Sequence, residues 1–146
     1  MDLVLGGGLL ERIYENSSYF ERDAVNIVRN ITEAIAYLHD NGVIHKDLKP
    51  ESILFKMNNK NSDLVITSFG LSKIINSKNF DVLTTICLNS AYVAPEVLKE
   101  LEHCKPVDMW AIDIITYFLL CGNIPFGDSE LMAIIQADYR FEPQEC

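Results

Sequence analysis

Apolar residues recur every three or four positions in one stretch of the first third of the chain. Between positions 22 and 40 they share one face of a helix, at Ala24, Val28, Ile31, Ile35 and Leu38. This spacing predicts an amphipathic helix over residues 22–40. Asn41-Gly42 follows, and both residues tolerate the left-handed conformation that often ends a helix. The pattern therefore predicts the C-terminal end of this helix as well as its buried face.

Three short runs rich in β-branched and aromatic residues come next, at positions 43–45, 53–55 and 64–67. Polar turn residues separate the last two runs, so we expect these two to form a β-hairpin. Residues 68–90 carry scattered Ser, Asn and Lys without a period. We expect a long irregular loop there, and loops of that length in compact domains are usually functional or mobile.

A nearly continuous apolar run over residues 109–120 marks the second half of the chain. Apolar residues on every face are typical of a helix buried on all sides, and Asp108 is placed to cap its first turn. Inside the run lies Asp113, a carboxylate that we expect to find a partner or to be neutralised at a cost in stability. Asp128 or Ser129 opens a final helix that ends at Gln136. The order of elements predicts a mainly α fold with a small β-hairpin.

Composition narrows the class of protein. The 146 residues hold 12 Lys and Arg against 21 Asp and Glu, a formal charge of −9. That length suits one domain, and the acidic balance argues against nucleic-acid binding. No apolar run reaches the length of about 20 residues that spans a bilayer, and no signal peptide is evident. Four distant cysteines (Cys87, Cys104, Cys121 and Cys146) lack the spacing of a zinc site or a disulfide framework. We expect a cytoplasmic or nuclear protein that binds neither nucleic acid nor membrane.

The run His-Lys-Asp-Leu-Lys-Pro-Glu-Ser at residues 45–52 carries the most chemistry in the sequence. It places the carboxylate of Asp47 just after a predicted strand, with Lys49 two residues further on. Such a pair can serve as a general base and a cation that neutralises phosphate. An ordinary solvated charged loop has the same spacing, and spacing alone favours that blander interpretation.

This run resembles the catalytic loop of protein kinases, H-R-D-L-K-P-E-N, and further kinase motifs follow in order. Ser68-Phe69-Gly70 stands where the family has D-F-G, residues 94–96 match A-P-E, and residues 108–110 resemble the start of the central buried helix. Residues 6–13 are similar to the G-G-E-L-F-D-R-I segment after the kinase hinge. Residues 33–42 and 115–122 resemble the calcium/calmodulin-dependent kinases, particularly their type IV member. The resemblance covers essentially the whole chain.

The resemblance implies one partial protein kinase domain over residues 1–146. Its parts are a hinge at 1–8, a catalytic loop at 45–52, an activation segment at 68–96 and a buried central helix at 108–121. We therefore expect a helical C-lobe, with the β-rich N-lobe absent and the C-terminal helices truncated. The Gly-rich loop, strand lysine and helix glutamate of the family have no counterpart in this sequence.

The family's roles carry over to individual positions by resemblance. Asp47 matches the catalytic base, and Lys49 matches the lysine that steadies the transferred phosphate. Four further positions match those that contact the nucleotide and its metal: Glu51, Ser52, Leu54 and Ser68. Ser52 and Ser68 replace the asparagine and aspartate that hold Mg²⁺, and a neutral hydroxyl is a poor ligand for that ion. The resemblance implies ATP and Mg²⁺ as cofactors, and we expect this chain to bind them weakly.

Other departures concern substrate and regulation. Gly8 replaces an acidic residue that helps to bind ribose and a basic substrate, and Lys46 replaces an arginine that pairs with a phosphorylated loop. Thr85 matches the activation-loop phosphorylation site, although an ordinary exposed threonine is an equal alternative. Residues that packing requires are kept, namely His45, Leu54, Phe69, Glu96, Asp108 and Trp110.

Three hypotheses follow from these substitutions. The first is a catalytically impaired, pseudokinase-type module that binds proteins. The second is an ATP-dependent Ser/Thr kinase whose N-lobe is supplied from elsewhere, and the third is a truncated product without function. The expected partners are protein substrates or an upstream kinase. The sequence contains no segment that resembles a calmodulin-binding tail, so we expect no support from this chain for calmodulin as a partner.

Overall fold

The computed structural model describes residues 4–16, 19–59, 62–74, 90–99, 105–127 and 131–136. Within these ranges the helices are α1 (Leu9–Asn16), α2 (Glu21–Asp40), α3 (Pro95–Leu98), α4 (Pro106–Cys121) and α5 (Leu131–Gln136). The strands are β1 (Val43–Ile44), β2 (Ile53–Phe55), β3 (Leu64–Ile66) and β4 (Lys73–Ile74). The predicted mainly helical fold with a small hairpin is confirmed. No helix of the described ranges has the length and apolar character needed to cross a bilayer.

Helices α2 and α4 form the centre of the core. The predicted α2 is confirmed with one more residue at its start, and Gly42 behind it has a φ of +72°. The face of α2 that carries Ile31 and Ile35 packs in one apolar cluster with Ile115 and Leu119 of α4. Because α4 is apolar on most of its faces, it also contributes to two smaller clusters toward α3 and α5.

Two antiparallel ladders lie beside this helical core. The predicted hairpin is confirmed, because β2 pairs with β3 and places Ile53 opposite Ile66. The second ladder joins β1 to β4, with Val43 opposite Ile74. The expectation of an irregular loop from residue 68 was therefore wrong at its start, where a 3₁₀ turn (Phe69–Leu71) and β4 lie. Strand β4 has a partner 30 residues earlier, and no local pattern records such a pairing.

The glycine run before α1 is packed against the hairpin. Gly6 N–H donates to the carbonyl of Phe55 at 2.9 Å, and a Cβ at Gly6 would collide with the carbonyl oxygens of Phe55 and Met57. The Arg12 guanidinium lies 3.6 Å from the centre of the Phe55 ring and donates to the carbonyls of Gly6 and Met57. Only glycine permits this close approach of two backbone segments.

Helix α4 differs from its prediction at two carboxylates. The helix begins at Pro106, so Asp108 lies inside its first turn and Lys105 occupies the N-cap position. Asp108 is buried and accepts hydrogen bonds from other elements instead of capping its own helix. Asp113 is exposed, and Met109, one turn before it, is 42% exposed. The expected burial of Asp113 was therefore wrong, because an all-apolar period does not reveal which face of the helix lacks a neighbour, although partial desolvation still raises the pKa of this carboxyl.

Candidate active site

A buried aspartate from α4 holds the start of the predicted catalytic loop. Asp108 is 1% exposed, and its two carboxylate oxygens accept the backbone N–H groups of His45 at 2.9 Å and Lys46 at 2.8 Å. His39 of α2 contacts the same carboxylate at 2.8 Å through Nε2. This arrangement fixes Lys46 in the left-handed region, at a φ of +67°. The strained backbone there persists because the surrounding contacts determine it.

The ring of His45 joins the loop to the segment that follows the hairpin. Its Nδ1 accepts the N–H of Asp47 at 3.3 Å, and its Nε2 lies 2.8 Å from the carbonyl oxygen of Thr67. An Nδ1 that accepts and an Nε2 that faces a carbonyl together require the proton on Nε2. His45 is fully buried, and the ring of Phe69 meets it edge-on with centroids 5.0 Å apart.

Asp47 and Lys49, the predicted base and cation, form a direct pair. Lys49 Nζ lies 3.0 Å from Asp47 Oδ1, and the two side chains are 26% and 20% exposed. Both side chains therefore reach solvent, while the backbone N–H groups of Asp47 and Lys49 are bonded to the side chains of His45 and Ser52. Asp47 and Lys49 are therefore the paired, partly accessible charges of the candidate site.

Ser52, the first of the two predicted metal positions, has its hydroxyl turned inward. The side chain is fully buried, and Oγ accepts the N–H of Lys49 at 3.1 Å and donates to the carbonyl of the same residue at 2.8 Å. These bonds close the 3₁₀ turn Pro50–Ser52. A hydroxyl has one donor and two acceptor positions, so this one retains a single free acceptor in a buried setting.

Ser68, the second predicted metal position, is exposed and has a left-handed backbone, with φ 65° and ψ 49°. Both neighbours of Ser68 in the chain contact His45. Thr67 does so through its carbonyl oxygen and Phe69 through its ring. The structure therefore brings position 68 next to the catalytic loop, as the resemblance implied. Serine offers Mg²⁺ a neutral oxygen there, whereas the ion prefers charged oxygen ligands in octahedral geometry.

The donor set of the site does not fit a divalent metal. Within the described ranges, no three His, Cys, Asp or Glu side chains are grouped so that they could hold an ion. Asp47 is paired with Lys49, the Ser52 hydroxyl uses two of its three hydrogen-bonding positions on the backbone of Lys49, and Ser68 is neutral. We therefore assign no step of chemistry to a metal at this site.

The remaining predicted residues are distributed around this centre. Leu54 lies half-buried in the middle of β2 and forms an isolated bridge with Gly8. Glu51 is exposed, whereas Phe69, which we expected to pack in the core, is 44% exposed and contacts His45 on one side. Thr85 lies outside the described residues.

Sequence reasoning missed two residues that organise the site. His39 supports the Asp108 carboxylate, and its position four residues after Ile35 on α2 was the available signal. Thr67 donates through its N–H and its hydroxyl to the carbonyl of Ser52, at 2.8 and 3.1 Å. Nothing in the local pattern distinguishes Thr67 from any other threonine at the end of a strand.

The order and geometry of these motifs agree with the kinase resemblance of the sequence. The family model described as the protein kinase domain matches residues 1–143 of the chain. Because this match covers nearly the whole length, the chain belongs to the protein kinase family.

Similar proteins point to the calcium/calmodulin-dependent group, as predicted. Over 99% of its length the chain is 49% identical to calcium/calmodulin-dependent protein kinase cmkB of Emericella nidulans. It is 46% identical over 93% of its length to the type I kinase of Schizosaccharomyces pombe, and 43% identical over 97% to the human type IV kinase. The chain spans 37%, 41% and 30% of the lengths of these relatives.

Proposed function

We propose that this chain is a C-lobe part of a calcium/calmodulin-dependent-type protein kinase whose Mg²⁺-dependent phosphotransfer is impaired. In this proposal it acts as a pseudokinase-type module that binds proteins in the cytoplasm or nucleus. The observation that carries the proposal is the hydroxyl of Ser52, which is fully buried and bonded twice to the backbone of Lys49. Two of the three hydrogen-bonding positions of this hydroxyl are therefore used by the backbone of its own loop, which supports weak metal binding at this position.

The magnitude of the expected impairment follows from the chemistry of phosphoryl transfer. Bound metal ions supply several kcal/mol of transition-state stabilisation, and each 1.36 kcal/mol corresponds to about a tenfold change in rate. Ser68 is a second neutral residue, and it stands where the D-F-G motif of the kinase family has an aspartate. We therefore expect the loss of both ligands to remove several powers of ten in rate, even though Asp47 and Lys49 form a direct pair.

The alternative function is an ATP-dependent Ser/Thr protein kinase, active when an N-lobe is supplied. The intact Asp47–Lys49 pair and the anchoring of its loop by Asp108 favour this alternative. Under it, Ser52 and Ser68 would be tolerated substitutions, and a nucleotide clamp from another segment would complete the site.

Four proteins distinguish these two functions: the original chain, Ser52→Asn with Ser68→Asp, the original chain fused behind the N-lobe of the human type IV kinase, and the fusion with both substitutions. We expect turnover of radiolabelled ATP on a basic peptide only in the fourth protein, because parts of one catalytic unit are strongly non-additive. Adding Asp47→Asn to the fourth protein should abolish that turnover. Activity in the unsubstituted fusion would contradict the proposed impairment and support the kinase alternative.

Nucleotide binding gives an independent measurement on the original chain. We expect a fluorescent ATP analogue to bind it weakly, with the same affinity in the presence and absence of Mg²⁺. Micromolar binding that tightens with Mg²⁺ would show a working metal site and overturn the proposal. The double variant Ser52→Asn with Ser68→Asp is the matched control, since it restores the ligand types at the same two positions.

A further inference from the structure

An asparagine at the end of helix α2 has a chemically labile side-chain amide. Asn41-Gly42 is the one Asn-Gly pair in the sequence. In such a pair the backbone nitrogen of the glycine attacks Cγ of the asparagine, because glycine has no Cβ to hinder the approach. The bond between this nitrogen and Cγ forms, the bond between Cγ and Nδ2 breaks, and ammonia leaves with the proton of the attacking nitrogen. Water then opens the cyclic imide at either carbonyl and gives aspartate or isoaspartate.

The folded end of α2 holds both reacting groups in other bonds. The N–H of Gly42 donates to the carbonyl of His39 at 3.1 Å. The Asn41 side chain donates through Nδ2 to the carbonyl of Tyr37 at 2.8 Å, and its backbone N–H donates to the same carbonyl at 3.2 Å. The nitrogen and the amide are therefore held apart from the ring closure by the preceding turn of the helix. The reaction requires this turn to open.

The pair is reached by water, so the hydrogen bonds of the turn are its main protection. Asn41 is exposed, and a Cβ placed on Gly42 would meet no described residue within 4 Å other than its chain neighbours. Helix ends open at a smaller cost in free energy than the whole fold does. Opening of this one turn therefore exposes the pair to reaction while the rest of the chain stays folded.

The same turn supports the candidate active site. His39, whose carbonyl accepts the Gly42 N–H, contacts the buried carboxylate of Asp108 at 2.8 Å through its ring. Asp108 in turn accepts the backbone N–H groups of His45 and Lys46. The two residues of β1 alone separate Gly42 from His45 along the chain. The end of α2 is thus connected to the catalytic loop both through the His39 ring and through the backbone.

Neither product of the reaction can rebuild the end of the helix. An ionised carboxylate is an acceptor only, so an aspartate in place of Asn41 has no hydrogen to donate to the carbonyl of Tyr37. Its negative charge also lies next to Asp40 and at the C-terminal end of α2, where carbonyl groups carry partial negative charge. Isoaspartate in addition inserts a methylene group into the backbone between α2 and β1. Both products therefore leave the turn less stable than asparagine does.

We propose that Asn41-Gly42 is a modification site, at which deamidation is suppressed by the closed end of α2, follows its opening, and permanently weakens the support of the catalytic loop. The reaction consumes water and needs neither a nucleotide nor a metal. It is measured without phosphotransfer, so a failure of this proposal leaves the proposed function untouched, and the reverse also holds.

Mass spectrometry of the tryptic peptide of residues 30–46 measures the reaction, because the exchange of NH₂ for OH changes its mass. This peptide also contains Asn30, which is exposed in the middle of α2 and is followed by a bulky isoleucine, so it serves as an internal control. The reference is a synthetic peptide of residues 37–46 in the same buffer. We expect Asn41 to deamidate about tenfold more slowly in the folded chain than in this reference. Equal rates in the two, or no reaction in the reference, would overturn the proposal.

The variant Asp108→Asn tests the link between the turn and the site. It replaces the carboxylate that His39 contacts with an amide, and we expect Asn41 to deamidate about fivefold faster than in the original chain. Gly6→Ala is the matched control for general destabilisation, because its Cβ collides with backbone oxygens in another part of the fold. Equal acceleration in the two variants would show that deamidation follows unfolding of the whole chain, and this result would contradict the local mechanism.

The variant Asn41→Asp reproduces one product and tests its effect on the catalytic loop. We expect the amides of His45 and Lys46 to exchange hydrogen about threefold faster than in the original chain, since a hydrogen bond is lost and a negative charge is added at the end of α2. Asn30→Asp is the matched control, because it makes the same chemical change at an exposed position in the middle of α2. Equal exchange in Asn41→Asp and Asn30→Asp would refute the proposed effect on the loop.

Discussion

Replacing Asp108 with asparagine tests whether one buried carboxylate holds the catalytic loop. In the structure Oδ2 accepts His45 N–H and faces His39 Nε2, while Oδ1 accepts Lys46 N–H. An amide keeps one acceptor oxygen and places an NH₂ group at the other position. Whichever way the amide is turned, one of the two backbone N–H groups faces a donor. Asp108→Asn therefore leaves one backbone N–H without an acceptor in a site that is 1% exposed.

The expected loss follows from two contributions. A buried donor left without a partner costs about 1–3 kcal/mol, and a bond that changes from a charged to a neutral acceptor loses about 1 kcal/mol. We therefore expect Asp108→Asn to lower the free energy of unfolding by about 2–4 kcal/mol, a large part of the 5–15 kcal/mol typical of a folded domain. The chain's single tryptophan, Trp110, lies two residues away and reports urea unfolding by fluorescence. The midpoint should fall by about 1–2 M.

Asp113→Asn is the matched control, because it makes the same chemical change on the same helix at an exposed position. Exposed substitutions of this kind usually change stability by less than about 0.5 kcal/mol. Hydrogen exchange at the amides of His45 and Lys46 gives a second measurement, and both should exchange faster in Asp108→Asn alone. Equal midpoints and equal exchange in the two variants would refute the role assigned to Asp108.

Three further predictions concern single positions. Gly6→Ala should lower the free energy of unfolding by about 3 kcal/mol, because the added Cβ collides with backbone oxygens. Gly42→Ala should lower it by only about 1 kcal/mol, because Gly42 lies in open space at a φ of +72°. A larger loss for Gly42→Ala than for Gly6→Ala in urea unfolding would contradict this. Ser52→Ala should cost about 1–3 kcal/mol, since it leaves the N–H of Lys49 without the hydroxyl acceptor, and an unchanged midpoint would show that the hydroxyl is dispensable. Partial burial raises the pKa of Asp113 above its ordinary value of 3.8. The folded chain therefore holds this proton more tightly than the unfolded chain. The contribution of the protonated carboxyl to stability is full below pH 3.8 and is lost as the pH rises through the folded-state pKa. Asp113→Asn should therefore gain stability relative to the original chain between acid and neutral pH, and the opposite trend in urea midpoints would be decisive against it.

Several features could be predicted from the sequence because they depend on near neighbours in the chain. The 3.6-residue period places Ile31 and Ile35 on one face, and Asn41-Gly42 ends α2, so the helix could be predicted almost to the residue. The hairpin of β2 and β3 follows from two apolar runs and a polar turn. The order of motifs around Asp47 was enough to indicate the kinase family, which the family match confirms.

Tertiary structure decided the features that depend on residues distant in the chain. Asp108 and Asp113 are the same residue type on one apolar helix, yet three donors from α2 and the loop surround the first, whereas the second lies on the exposed face of the helix. Strand β4 exists because β1 offers it a partner. Ser52 could be identified as a changed metal position, but the direction of its hydroxyl depends on how the turn after Lys49 closes. Burial and hydrogen-bond partners are set by contacts across the fold, and a local sequence pattern contains no information about which contacts form.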